Sequence, residues 1–287
     1  MLSSTVVNDN FLPIIQPVKR TKTGLKPGVI TFCHLDGDAR KGYYLYRPLT
    51  CSNQNTLFVT IHGISRNAYE HVQSFIPYAE QHGMIIVAPL FSKIVFSRYQ
   101  KMGQTETEQR TDKYFNAIIA QAGRLAGISA DKFYLFGYSG GAQFAHRYMM
   151  AYPERVVSIA IGAAGWYTFP DPDLTYPAGI KQAPSWQDLI FQPENFLKIP
   201  TLVLVGEKDI ERDKALRKSR KIDQFQGLNR LERGRAWIDA LNDRSRQLGI
   251  ISSHHHFIQL PGSDHSFRRC IRKGGMADLI FRHFFSH

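Results

Sequence analysis

Residues Gly137-Tyr138-Ser139-Gly140-Gly141 spell G-x-S-x-G between the apolar run Phe133-Tyr134-Leu135-Phe136 and a segment of helical pattern that runs from Gly140 through Gln143, Phe144 and Tyr148 toward Pro153. A serine on a sharp strand-to-helix turn sits in a strained backbone conformation with its hydroxyl pushed out above the sheet. Glycines must flank it, because side chains there would strike the neighbouring strand or helix. A hydroxyl is a poor nucleophile at neutral pH, so this chemistry needs a base and a group that orients the base. Candidates for both follow, each at the end of a strand. Residues 202–206 form a short apolar run, as expected of a strand buried on both faces, and lead into Glu207-Lys208-Asp209. Residues 257–262 form a further strand that delivers Ser263-Asp264-His265.

An imidazole titrates near neutrality, which suits His265 to take a proton from Ser139. The other histidines nearby, His254-His255-His256, fall before or within the strand rather than in the loop after it. With no Cys, Asp or Glu partner in metal-ligand spacing, the triplet reads as a solvated strand edge. Glu207, Asp209 and Asp213 could each reach an imidazole, whereas Asp264 is too close in sequence to bond the ring of its neighbour. Attack on a carbonyl generates an oxyanion. The N–H of Gly140, directly after the nucleophile, is placed to hold it, with a second N–H from Ile64 or Ser65. Those two lie in His62-Gly63-Ile64-Ser65-Arg66-Asn67, which closes the apolar strand 56–61. His62 is read as bracing that loop beside the substrate, Arg66 as a contact for a substrate carboxylate or hydroxyl, and Asn67 as the cap of the following helix.

Nucleophile, acid and histidine in this chain order resemble the α/β-hydrolases, and among them the bacterial single-domain hydrolases related to polyhydroxyalkanoate depolymerases and carbohydrate-type esterases. The resemblance spans about 28 to 285. It rests on His62-Gly63, on 137–141, on Val205-Gly206-Glu207-Lys208-Asp209 and on 262–265. It implies an α/β fold with a mostly parallel central sheet of about eight strands, helices on both faces and a small cap after the sixth strand. It favours Asp209, three residues past the strand-terminal glycine, as the acid, with Glu207 and Asp213 as alternatives. Residues 28–287 would then be the hydrolase domain, 1–27 an N-terminal extension and about 166–199 the cap. The cap segment mixes Trp166, Tyr167, Phe169, Tyr176, Trp186, Phe191 and Phe196 with five prolines. Its aromatics either shape a substrate pocket, with Tyr138, Trp166 and Tyr167 as candidate contacts, or pack the cap onto the body. Related enzymes that open epoxides or displace halide carry aspartate at the elbow, so Ser139 points to acyl transfer without a cofactor: ester hydrolysis first, thioester or amide hydrolysis next. A non-catalytic binding protein on the same scaffold is the reading from another class.

The rest of the chain fits this picture. Strand and helix patterns alternate: a hairpin over 28–34 and 42–48, a helix over 67–82, a strand over 84–89, a helix over 105–125 and a strand over 156–161. Such alternation calls for a parallel sheet with crossover helices. Hydrophobic residues make up 43% of 287, enough for one sizeable core. Three scattered cysteines argue against a disulfide framework. Residues 1–26 lack the basic and apolar halves of a signal peptide, and no run approaches the length of a membrane span, so the expectation is a cytoplasmic enzyme. No H-E-x-x-H, P-loop or dinucleotide fingerprint is present. The formal charge of +12 concentrates at Arg212, Lys214, Arg217, Lys218, Arg220 and Lys221, followed by Arg230, Arg233 and Arg235 in a helical pattern. Without a nucleic-acid-binding signature, this reads as general surface charge, with steering of an anionic small-molecule ester as the second reading. Oligomeric state is not encoded in any visible feature.

Overall fold

The computed structural model describes residues 25–50, 56–103, 110–250 and 254–285. Most of the 1–27 extension, Cys51 and residues 105–109 of the expected 105–125 helix lie outside the described residues. Eight strands form one sheet: β1 (Ile30–Leu35), β2 (Asp38–Tyr46), β3 (Leu57–Ile61), β4 (Ile85–Leu90), β5 (Phe133–Tyr138), β6 (Val156–Gly162), β7 (Thr201–Gly206) and β8 (His255–Leu260). Their spatial order is β1-β2-β4-β3-β5-β6-β7-β8. Strand β2 runs antiparallel to β1 and β4, and every pairing from β4 onward to β8 is parallel. Parallel neighbours need crossovers. The helices are α1 (Ala68–His82), α2 (Thr111–Ala126), α3 (Gly140–Ala151), α4 (Pro193–Phe196), α5 (Arg220–Gln226), α6 (Arg230–Gln247), α7 (Phe267–Arg272) and α8 (Met276–Phe285).

The two-residue alternation of β5 shows how both faces are covered. Phe133 meets Phe115 of α2 and Tyr148 of α3 on one side. On the other, Tyr134 meets Phe284 of α8, and Phe136 meets Phe75 of α1. Strands β3 and β7 are buried at every position, which is why they read as continuous apolar runs rather than alternating ones. Because β3 to β8 are parallel, the loops after β3, β5, β7 and β8 all emerge at one edge of the sheet. The four sequence features singled out above therefore meet there.

Three local expectations need correction. Asn67 occupies the position before α1 but makes no capping bond. Its φ of −84° and ψ of 45° are not the extended conformation from which a side chain reaches the first turn. The amide instead donates to Glu70 and accepts from the Ser65 hydroxyl. In the histidine triplet, His255 is not solvated: it pairs in register with Thr201 and points inward, while His254 and His256 face out. Finally, Arg230 and Arg233 do not belong to the surface charge, for both are fully buried.

Between β6 and β7 the chain runs through irregular turns whose aromatics point inward. The Gln226 side chain bonds both the N–H and the C=O of Tyr167, the Trp237 indole donates to Thr168 O, and Arg147 Nε donates to Thr168 Oγ1. The Tyr167 ring stacks on Trp237 at 4.9 Å. The segment is thus fastened to α3, α5 and α6.

Candidate active site

Ser139 adopts φ 52° and ψ −111°, a conformation that costs a non-glycine residue on the order of 1–3 kcal/mol. The turn is held open by its glycines. A Cβ on Gly141 would sit 2.1 Å from Ile61 O, and one on Gly137 would sit 2.4 Å from Gly141 O. Both contacts are with backbone that cannot yield, so α3 begins directly against the end of β3. The Ser139 N–H donates to Gly162 O at 2.7 Å, tying the turn to β6.

Three side chains then stand in hydrogen-bonded series. Ser139 Oγ lies 3.0 Å from His265 Nε2, and His265 Nδ1 lies 2.7 Å from Asp209 Oδ2. A carboxylate can only accept, so Nδ1 carries the proton and Nε2 is left to accept from the serine hydroxyl. The Tyr138 ring stacks beside the imidazole at 5.6 Å. Its hydroxyl lies 3.6 Å from the buried Cys270 thiol, whose pKa burial pushes up to about 11. Of the alternative acids, Glu207 accepts from Gly262 N–H and so braces the loop after β8. Asp264 pairs with Arg269.

Asp213 is held by Arg230. This guanidinium donates through Nη1 to Asp209 Oδ1 at 3.1 Å and grips both oxygens of Asp213 at 3.0 Å. Burial alone would raise the Asp213 pKa, but the bidentate pairing with Arg230 brings it down to about 2. Asp213 also accepts from the N–H groups of Ala215 and Leu216, which sets the turn beside Ser139. Sequence reading missed Arg230, although a signal was present. Residues 230, 233, 237 and 241 share one helical face, and Trp237 and Leu241 mark that face as inward.

The 62–66 loop lies against the serine: a Cβ on Gly63 would be 3.4 Å from Ser139 Cβ. A Cβ on Gly140 would be 3.0 Å from an Ile64 methyl and 2.7 Å from the Tyr99 hydroxyl. The loop is clamped by His62, whose Nε2 accepts from Phe91 N–H while Nδ1 donates to Gly63 O. Burial lowers the His62 pKa to about 4, keeping it neutral for these two bonds. Tyr99 adds a bond to His62 O, and Arg66 one to Phe91 O. His62 is therefore a loop clamp with no exposed surface, not a substrate contact, and Arg66 is spent on the backbone of Phe91.

An open cavity of about 390 Å³ exposes Ser139 and His265. Gly63, Ile64, Ser65, Tyr138, Ala215 and Phe267 are among its walls. Among the described residues, none of its lining comes from 166–199. Tyr167 cannot contact substrate, since its ring is buried against Trp237. Trp166 borders a second cavity on the other side of Ala215. The aromatics of the segment pack it onto the body rather than forming the wall around Ser139.

This sheet order, with a serine on the strained turn after β5 and an aspartate and a histidine on the loops after β7 and β8, is that of the α/β-hydrolase fold, and the chain has it. No protein-family model matches the chain, and no curated protein matches it in sequence. Solved structures match it across nearly its whole length. It is similar to poly(aspartic acid) hydrolase-1 from Sphingomonas sp. KT-1, with 23% identity, a TM-score of 0.75, and coverage of 90% of this chain and 100% of that one. It is similar to LpqC, a poly(3-hydroxybutyrate) depolymerase from Bordetella parapertussis, at 24% identity, a TM-score of 0.72 and 90% coverage of each chain. An S-formylglutathione hydrolase from Agrobacterium tumefaciens aligns at 14% identity with a TM-score of 0.59, over 89% of this chain and 93% of that one. Among the described residues, no helix is long and apolar enough to cross a membrane.

Proposed function

We propose that the protein is a serine hydrolase that cleaves carboxylic esters through an acyl-enzyme on Ser139. The observation that carries this reading is the unbroken series Ser139–His265–Asp209, with the serine in its strained turn at the floor of an open cavity. His265 Nε2 takes the hydroxyl proton as Ser139 Oγ attacks the ester carbonyl. Asp209 steadies the imidazolium through Nδ1–H, and the bond from Arg230 Nη1 to its other oxygen keeps that carboxylate aimed. The N–H of Gly140 and that of Ile64 or Ser65 receive the oxyanion, each contributing about 3 kcal/mol to the transition state. His265 then hands its proton to the departing alkoxide. Water, deprotonated by the same nitrogen, attacks the acyl-enzyme and frees the acid.

The same relay could serve thioesters or amides, so a substrate panel decides between them. Hydrolysis of p-nitrophenyl esters from acetate to dodecanoate is the first test, run with wild type and Ser139→Ala. Wild type is expected to turn over at least one ester and to accept a fluorophosphonate label on Ser139. The variant is expected to do neither, with a rate loss of roughly 10³-fold or more. Wild-type protein that neither hydrolyses any ester nor takes the label would sink the reading in favour of a binding scaffold.

A further inference from the structure

Ala215 separates two cavities. One opens on Ser139; the other is lined by Arg98, Lys101, Lys214 and Arg217, with Trp166 at one wall. Gln100 and Gln143 also line the second cavity. Gln143 lies one helical turn from Ser139 and donates its backbone N–H to Ser139 O, and a Cβ on Gly140 would lie 3.3 Å from Gln100. The basic cavity therefore begins beside the nucleophile.

Among the described residues, no carboxylate forms an ion pair with Arg98, Lys101, Lys214 or Arg217. Beneath them lies a fifth cation, Arg147, which is wholly buried and, among the described residues, forms no ion pair with a carboxylate. It donates to the carbonyls of Gln100 and Gln143 and to Thr168, but its Nη2 has no hydrogen-bond partner among the described residues. Trp166 sits among three of these cations: Arg147 at 4.4 Å from its ring centre, Arg217 at 5.3 Å and Lys101 at 5.9 Å. Burial lowers the pKa of Arg147 to about 10, and Arg217 adds to the effect. Burial followed by repulsion from Arg217, Arg147 and Arg98 likewise lowers that of Lys101. A buried, unpaired cation under a cluster of like charges is unfavourable unless something negative joins it.

Resting on the ester-hydrolase reading, we infer that the 98–101 and 214–217 segments form a subsite for carboxylate groups, and that the substrate is an anionic ester whose carboxylate lies there while its scissile carbonyl lies at Ser139. An aliphatic diacid half-ester or an acidic oligomer has the required chemistry. A neutral alkyl ester has nothing to offer these cations.

Two measurements test this. Titration calorimetry with tri-aspartate, at low salt, asks whether the subsite exists and needs no turnover. Wild type is expected to bind it, and Lys101→Gln/Arg217→Gln to bind about 25-fold more weakly, at about fivefold per charge removed. Arg217→Lys, which keeps the charge at an exposed position, should retain most of the affinity. No binding by wild type, or equal binding by the double variant, overturns the subsite. The second measurement is the ratio of kcat/KM for mono-p-nitrophenyl glutarate over p-nitrophenyl valerate. The expected ratio is about tenfold or more in wild type, falling toward one in the double variant and in high salt. A wild-type ratio near one overturns the substrate assignment. Tri-aspartate binding without any Ser139-dependent ester turnover would instead overturn the hydrolase reading and leave the anion site standing.

Discussion

Arg230 holds two carboxylates with one guanidinium, and among the described residues neither carboxylate pairs with a second arginine or lysine. Replacing it with methionine would leave Asp209 buried beside His265 without its counter-charge and would release Asp213 from the 213–216 turn. Loss of one partner of a buried ion pair costs about 3–5 kcal/mol. Arg230→Met is therefore expected to lower unfolding stability by that amount in urea titrations and to reduce kcat for any ester the wild type accepts. Arg230→Lys supplies a single point charge in place of the fork and should recover only part of each. An Arg230→Met protein with wild-type stability and kcat would mean that the ion pair is incidental to the site.

At the scale of elements, the decisive contact is the start of α3 on the end of β3. Gly141 has backbone carbonyl where its side chain would be, so Gly141→Ala must push α3 off the sheet or distort the turn that carries Ser139. Forcing a methyl into such a contact costs about 3 kcal/mol. Urea unfolding should show that loss, and fluorophosphonate labelling of Ser139 should slow with it; an alanine variant as stable and reactive as wild type would mean that the turn tolerates far more movement than its contacts imply. This contact also explains what the sequence disclosed. The elbow was legible because its requirements are local: glycines two residues either side of the serine, an apolar run before and a helical pattern after. The loops bearing Asp209 and His265 were legible for the same reason, each being the end of a fully or partly buried strand. The fastening of residues 165–170 was not. Tyr167 and Thr168 are held by Gln226 and Trp237, 59 and 69 residues further along, and no spacing rule relates them. An aromatic-rich irregular stretch therefore looked as suited to lining a pocket as to packing, and only the tertiary contacts separate the two. Arg230 and Arg233 were hidden by composition, since an arginine-rich helix reads as a solvated one until its apolar face is traced.

For the molecule as a whole, the buried imidazoles set the response to acid. Burial holds His62 at about 4, and holds His71 and His146 well below the ordinary histidine value. Each is spent on internal bonds: His71 to Thr60, His146 to Ala142 O and Thr168 N–H. In the unfolded chain all three would titrate near 6.5. Their folded values are lower, so the unfolded state binds more protons once the pH falls below about 6.5, and stability drops from there toward pH 4. Each contributes a slope of about 1.4 kcal/mol per pH unit, or about 4 for the three together, and His255, which burial also lowers to about 4, adds a further increment of the same size. Urea unfolding at pH 7, 6 and 5 should show that steepening, and a flat profile across this window would contradict the neutral, buried state of these rings. The positive charge of the chain adds to the trend, because protonation only increases it.

Arg230 is also the first residue of α6, and this gives the proposed relay a mechanical dependence. Fraying of the α6 N-terminus would lift the guanidinium away from Asp209 and Asp213 together. Each such opening would leave Ser139 and His265 in place but the carboxylate behind them without its anchor. Local opening is far more frequent than global unfolding in most folds. The time the enzyme spends disarmed is then governed by one helix end. Amide hydrogen exchange at the start of α6 and the onset of heat inactivation should carry the same activation energy, well before the sheet itself gives way.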